Sequence, residues 1–442
     1  IYEVTAMDLK AFPNSNPTND WLDEICSDKP ISVSDMSLHG RLLNSKAIEM
    51  CGITKETPDP PSGKIYRDEN GELTGYFSDC GDILTGLPTF EYDEDDYRKA
   101  FEGFQAEANS YGLTAINSGG GDPIEWPVLS AMEKDGSLTL RVSTNVFIDQ
   151  SEESFKSTLA LLKDTKEKYE SDWIKVHQVK FKVDGVPEGK SAYLLEPYAP
   201  GAEMPADYVG TPSCTQEELN ELVAKWNAAG FQVQLHCMGD AAVNMALNAF
   251  EYSQQVNGKG DYRNEITHVT LITDEDKVRM GKLGVIGNMQ PLWFYYDPFF
   301  SPLEEQMFGT ERFKTEYHIR DMQDAGIIMT GSNDYPVTYD FAPLHAIEAA
   351  VTQCSPYPGE EGDPAFTRNP DQGITPFEAL QWYTVNGAYA MFMEDEIGTI
   401  EVGKKADMVV LGYNILTCKP EEISDAPVIY TISGGRIVYE NT

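Results

Sequence analysis

Apolar and polar residues alternate through FQVQLHC (231–237), where Phe231, Val233 and Leu235 are apolar and Gln232, Gln234 and His236 are polar. That period of two predicts a strand with two unlike faces. Six further stretches read as strands: LTAINS (113–118), LRVSTNVFI (140–148), HQVKFKVDG (177–185), EITHVTL (265–271), VIGNMQP (285–291) and IIMTGSND (327–334). Helical stretches lie between them, among them SFKSTLALLKDTKEKYE, TQEELNELVAKWNAAG and the long EEQMFGTERFKTEYHIRDMQDAG. Strands alternating with helices predict a parallel α/β fold, and seven strands are one short of a closed (β/α)8 barrel of the TIM type.

The pattern differs at both ends. The first 75 or so residues are rich in turn formers (PNSNPTND, DPPSGK, RDENGEL) around short apolar patches such as ISVSDMSL and NSKAIEMCGI. They predict an irregular inserted or cap subdomain over 1–76, followed by the barrel over 77–394. Residues 395–442, with IGTIEVGKKADMVVLGYN and APVIYTISGGRIVYEN, read as short antiparallel strands joined by glycine turns.

Charge narrows the classes of partner. With 33 basic and 72 acidic residues the net charge is −39, a field that repels nucleic acid and anionic membranes alike. Most of that acidity is expected to be solvated surface. The seven cysteines are odd in number, scattered and never spaced as CxxC, which suggests neither a disulfide framework nor a structural zinc site and fits a reducing cytoplasm. No run is long enough for a membrane span.

Catalytic groups of barrel enzymes gather at the C-terminal ends of the strands. In HQVKFKVDG the alternation puts Lys180, Lys182 and Asp184 on one face and His177, Val179, Phe181 and Val183 on the other. FQVQLHC ends on His236, EITHVTL carries His268, and IIMTGSND ends on Asp334. Each alone has a plain structural explanation, a buried histidine or a helix-capping aspartate. Lysines on an interior face are costly to bury unpaired, and a lysine, two histidines and an aspartate from four strands can together hold one or two divalent metals.

Six segments in order, VKFKVDGVPEGKSAYLLEPYA, QLHCMGDAAV, EITHV, MQPLW, GSNDYPV and GTIEVGKKADMVVL, resemble the amidohydrolase superfamily and, within it, the YtcJ-like (family 3) branch of metal-dependent hydrolases. DKPISVSDMSLHGRLLNSKAIEMCGI resembles the insert of that branch. The resemblance implies a (β/α)8 barrel with a small β-sandwich, of which 395–442 would be the C-terminal part. It implies a divalent metal, zinc first, as one or two ions. Lys180 would stand where the family has a lysine that can be carboxylated, with Lys182 as fallback. His236 and His268 would bind the more buried metal, and Asp334 would ligate the other and serve as general base. His39, Gln290, Trp293 and Arg312 are expected in the substrate pocket, whereas His177, His318 and His345 are expected to be structural and Asp240 a helix cap.

The family's His-x-His pair has no counterpart among the six histidines, so it and the first strand are expected to precede Ile1. The implied reaction is hydrolysis of a C–N bond in an amide, a cyclic amide or an N-acyl or N-formyl group, on a small molecule, with a homodimer allowed. Two alternatives stay open: a non-catalytic barrel that binds or regulates, and an isomerase or decarboxylase using the same ligands.

Overall fold

The computed structural model describes residues 1–13, 16–35, 39–60, 63–88 and 92–441. Parts of PNSNPTND, ISVSDMSL and DPPSGK, together with Glu91 and Thr442, lie outside the described residues. The N-terminal region is more regular than its turn formers predict. Strands β1 (Tyr2–Met7), β2 (Ile31–Asp35), β3 (Gly40–Leu43), β4 (Lys64–Arg67) and β5 (Leu73–Ser78) form one sheet in the order β1-β2-β3-β5-β4. These strands are short, and only pairing between distant segments buries Leu42, Leu43, Ile65 and Phe77. The expected boundary at residue 76 falls inside β5.

All seven expected strands form: β6 (Ala115–Asn117), β7 (Arg141–Phe147), β8 (Ile174–Lys182), β9 (Gln232–Cys237), β10 (Glu265–His268), β11 (Ile286–Met289) and β12 (Met329–Gly331). They make one parallel sheet whose spatial order, β12 to β6, runs unbroken along the chain. The sheet curls until its two edges face each other, because Ala115 and Ile116 of β6 and Thr330 and Gly331 of β12 line the same cleft of about 440 Å³. Among the described residues no eighth strand bridges those edges, so the closed barrel is realised here as an open seven-stranded one.

The alternation seen in the sequence sorts the two faces. Val179, Phe181, Val233 and Leu235 are buried in the same core as Leu219, Val223, Trp226, Ala246 and Phe250 of the helices Gln216–Ala228 and Asp240–Asn257. Each such side chain contributes about 1.5–3 kcal/mol when fully buried. The inner face is a ladder of amides: Asn145 donates to Gln178 (2.7 Å), Gln178 to Gln232 (2.9 Å) and Gln234 to the Glu265 carboxylate (2.9 Å). These bonds satisfy the amide nitrogens, while the side-chain oxygens of Asn145 and Gln234 stay buried without a partner among the described residues.

One expectation needs correction. The stretch 304–326 is not one helix but belongs to three, Ser301–Phe308, Thr310–Phe313 and Ile319–Asp324, interrupted at Gly309 and Tyr317, both with positive φ (78° and 52°). The C-terminal region forms short antiparallel strands as expected, one sheet of β13 (Met408–Leu411), β14 (Val428–Ser433) and β15 (Arg436–Glu440). It is clamped to the barrel by a buried pair, Arg141 and Asp407 (2.6 Å; side chains 1% and 3% exposed), and by Arg436, which donates to the carbonyls of Gly136 and Leu138. No helix among the described residues is long and apolar enough to cross a membrane.

Candidate active site

Parallel register brings the two predicted histidines together. Thr267 of β10 pairs with His236 of β9, and His268 pairs with Cys237. The imidazole rings meet edge to face, 4.6 Å between centroids. The chain then leaves β10 through a strained turn, with φ of +77° at His268 and +47° at Val269, and Asp334, just past β12, also has a positive φ (+53°). Left-handed backbone at non-glycine residues costs about 1–3 kcal/mol each and survives only where the surroundings enforce it.

Burial holds both rings neutral. It is the largest influence on His268, pushed down to about 4 with Lys180 acting the same way against the pull of Asp334, and on His236, which lies well below the ordinary histidine range with His268 adding to the effect. The amide oxygen of Gln290 accepts from Nδ1 of His268 (2.7 Å), while its amide nitrogen donates to Ser332 (2.8 Å), so the acceptor end faces the ring. Nε2 of His268 is thereby left as the lone-pair nitrogen. Trp293 stacks on the other face of His268 (5.1 Å) and is itself anchored by Thr338. His236 is 5% exposed, and its Nδ1 makes no hydrogen bond among the described residues, lying 3.5 Å from Asp184.

The lysines separate. Lys182 pairs with Asp79 (2.7 Å), whereas Lys180 donates only to the carbonyl of Gly119 (3.0 Å) and lines the open cleft, where burial lowers its pKa. Asp184, on the same strand parity, is a brace: its carboxylate accepts from the backbone N–H groups of Tyr193, Met238 and Gly239. Gly239 must be glycine there, since a Cβ would fall 1.9 Å from the Tyr193 carbonyl oxygen. Asp334 lines both the open cleft and a second cavity, of about 210 Å³, that His39, His236, His268 and Trp293 also line.

Two expected pocket residues stand elsewhere. Gln290 is 1% exposed and behind His268, where it orients the ring. The Arg312 guanidinium donates to the backbone carbonyls of Glu196 and Pro197 and does not line the cavity, because the broken helix turns it toward that loop. His177 is buried against Phe392, His318 caps the helix Ile319–Asp324, His345 pairs with Asp340, and Asp240 accepts from the N–H of Leu195.

His236 and His268 fit a divalent cation as two of its ligands: both are neutral, adjacent, and short of hydrogen-bond partners at a ring nitrogen. Lys180 and Asp334 are the oxygen- or carbamate-bearing candidates beside them. Among the described residues no group of three or more His, Cys, Asp and Glu side chains converges closely enough to hold an ion by itself.

A family profile described as the amidohydrolase family matches residues 8–439. The chain belongs to the amidohydrolase family. Similar proteins are the amidohydrolase YtcJ of Bacillus subtilis strain 168 (27% identical over 431 residues; 95% of this chain, 76% of that protein) and an N-substituted formamide deformylase of Arthrobacter pascens (26% over 436 residues; 97% and 76%). Among solved structures, a metal-dependent hydrolase of Pyrococcus horikoshii shares the fold, with a TM-score of 0.69 at 22% identity over 95% of this chain and 78% of that one.

This amidohydrolase chain has site residues that sequence patterning passed over. Asp79 follows β5 with φ of +52° and gathers His39 (2.6 Å), Lys182 (2.7 Å) and Ser191 (2.6 Å). Burial raises its pKa, but the charges and hydrogen bonds of His39 and Lys182 outweigh that and leave it well below the carboxylate range. Glu188, Glu304 and Arg368 reach the cavity from loops and the broken helix. No strand or helix period marks such positions; the only hint was Glu188 in VPEGK, directly after the Asp184-Gly185 segment.

Proposed function

We propose that this amidohydrolase cleaves a C–N bond of a small amide, with His236 and His268 as ligands of a divalent cation, Asp334 as the proton-transferring group and Lys180, carboxylated by CO2, as a further ligand. The observation that carries the reading is the edge-to-face pair of neutral imidazoles, one with an unpartnered Nδ1, beside the strained Asp334 that lines both cavities. A cation held there, zinc in the first instance, would supply Lewis acidity, making water more acidic and an amide carbonyl more electrophilic.

The protein's own groups do the rest. Gln290 and Trp293 fix the plane and tautomer of His268, as outer partners of ligating histidines do. Asp334 takes a proton from the attacking water and passes it to the leaving nitrogen. The lowered pKa of Lys180 favours the free amine that reaction with CO2 requires. His39, held by Asp79 and 5.5 Å from His236 between ring centroids, borders the substrate. The relative named as a formamide deformylase supports a C–N bond as the target. Metal analysis combined with turnover of a panel of N-substituted formamides and acetamides tests the reading: metal-dependent release of amine is expected, and a metal-loaded protein inert toward every C–N substrate would overturn it.

A further inference from the structure

The cavity beyond His268 has a definite chemistry. Trp293, Tyr295, Phe300, Tyr317 and Tyr339 present aromatic surface to it, and at the reactive end His236, His268 and Asp334 border it. Its lining carries four carboxyl groups, Glu188, Asp297, Glu304 and Asp334, against one guanidinium, Arg368.

The two terminal nitrogens of that guanidinium are already committed, and its Nε, buried, makes no hydrogen bond among the described residues. Arg368, with its side chain 3% exposed, donates to Glu316, to Glu304 (2.8 Å) and to Ser301 (2.7 Å), with the Phe313 ring 4.6 Å from its centre. Two carboxylates around one cation leave no net positive charge to anchor an incoming anion. Asp297 lines the cavity wall and accepts from the N–H groups of Phe299 and Phe300 (both 2.7 Å). Burial, with Glu304 nearby, pushes Glu188 up to about 8.

We propose that this cavity holds the amine portion of the substrate and selects amines that are aromatic or apolar, uncharged or cationic, while rejecting those that carry a carboxylate or phosphate. The proposal rests on the hydrolase reading above. Hydrolysis breaks the C–N bond, adds hydroxyl to the acyl carbon and a proton to nitrogen, and at neutral pH yields a carboxylate and an alkylammonium ion. That ammonium arises among aromatic faces and carboxylates, which attract it. An anionic amine portion would instead meet like charge in a partly desolvated site, a mismatch worth several kcal/mol. N-acyl amino acids and dipeptides are thereby excluded as substrates, and N-substituted amides of arylalkylamines are favoured.

Isothermal titration of the purified protein with phenethylamine and with 3-phenylpropionate tests this directly. The amine is expected to bind at least ten-fold more tightly. Glu304→Gln frees part of Arg368, so the preference should shift at least ten-fold toward the carboxylate; Glu188→Gln, which leaves Arg368 paired and replaces a carboxyl that burial keeps largely protonated at pH 7, should change the preference by no more than about two-fold. Circular dichroism of both variants distinguishes lost selectivity from lost folding. Equal or tighter binding of 3-phenylpropionate by the unaltered protein, or binding of neither compound, overturns the proposal. The underlying hydrolase reading fails separately. Amine selectivity with no turnover of any amide would sink that reading alone, whereas turnover of N-formyl-phenylalanine as fast as N-phenethylformamide would sink the selectivity alone.

Discussion

Two polar clusters lie side by side at the top of the sheet, and they differ in how fully their atoms are paired. Around Asp79, every charge meets its opposite: His39, Lys182 and Ser191 converge on one carboxylate from the N-terminal subdomain, β8 and the loop after it. Around His236 and His268, a ring nitrogen lacks a hydrogen bond, Lys180 meets a carbonyl oxygen and the Phe147 ring but no carboxylate in ion-pair contact among the described residues, and His268, Val269 and Asp334 have left-handed backbone, as Asp79 does in the first cluster. A saturated cluster lowers the free energy of the fold and has little left to offer a ligand beyond the cavity-facing side of His39; an unsaturated one raises it and keeps capacity for binding. The first therefore ties the subdomain to the barrel, and the second is the cluster on which the proposed chemistry rests.

Asp334→Asn should give the largest effect on the unsaturated side, a fall in amide turnover of about 100- to 10,000-fold with metal content largely retained. Full activity in that variant would remove Asp334 from its role and blur the contrast. On the saturated side, Asp79→Asn should cost about 2–3 kcal/mol in denaturant unfolding. That is less than the ~3–5 kcal/mol of a fully buried pair, because His39 and Lys182 reach solvent. Its pH signature has a definite sign. A carboxyl whose folded pKa is depressed stabilises fully above its unfolded value, about 3.9, and loses that contribution as pH falls toward the folded one. The unaltered protein should lose stability below about pH 4, and Asp79→Asn should lack that part of the loss.

A smaller effect is expected where the clusters are joined through orientation. Gln290→Leu removes the acceptor that fixes His268, and metal affinity should drop by about 10- to 100-fold, measured by competition with a chromophoric chelator. Unchanged affinity would show that the ring needs no such partner. Smallest of all, Arg312→Ala should leave KM for any amide substrate within two-fold or so and cost about 1 kcal/mol of stability, since its contacts are to backbone carbonyls outside the cavity. A large change in KM would return Arg312 to the substrate.

Much of this was legible in the chain. Seven strands and their parallel order followed from alternation and the helices between them, because period-two and period-3.6 patterns are imposed locally by which side of an element is buried. His236, His268 and Asp334 stood out because strand ends in such a sheet converge. The N-terminal sheet was not legible, since strands of four to six residues set among turn formers pair only with distant partners.

What the sequence by itself determined is the face each strand residue takes and the kinds of side chain that meet at the strand ends. Tertiary structure alone decided which charges are spent on one another: Lys182 on Asp79 but Lys180 left with a carbonyl, Arg368 on two glutamates, Gln290 behind a histidine rather than before a substrate. Pairing depends on distances between loops far apart in the chain, and no local period records them.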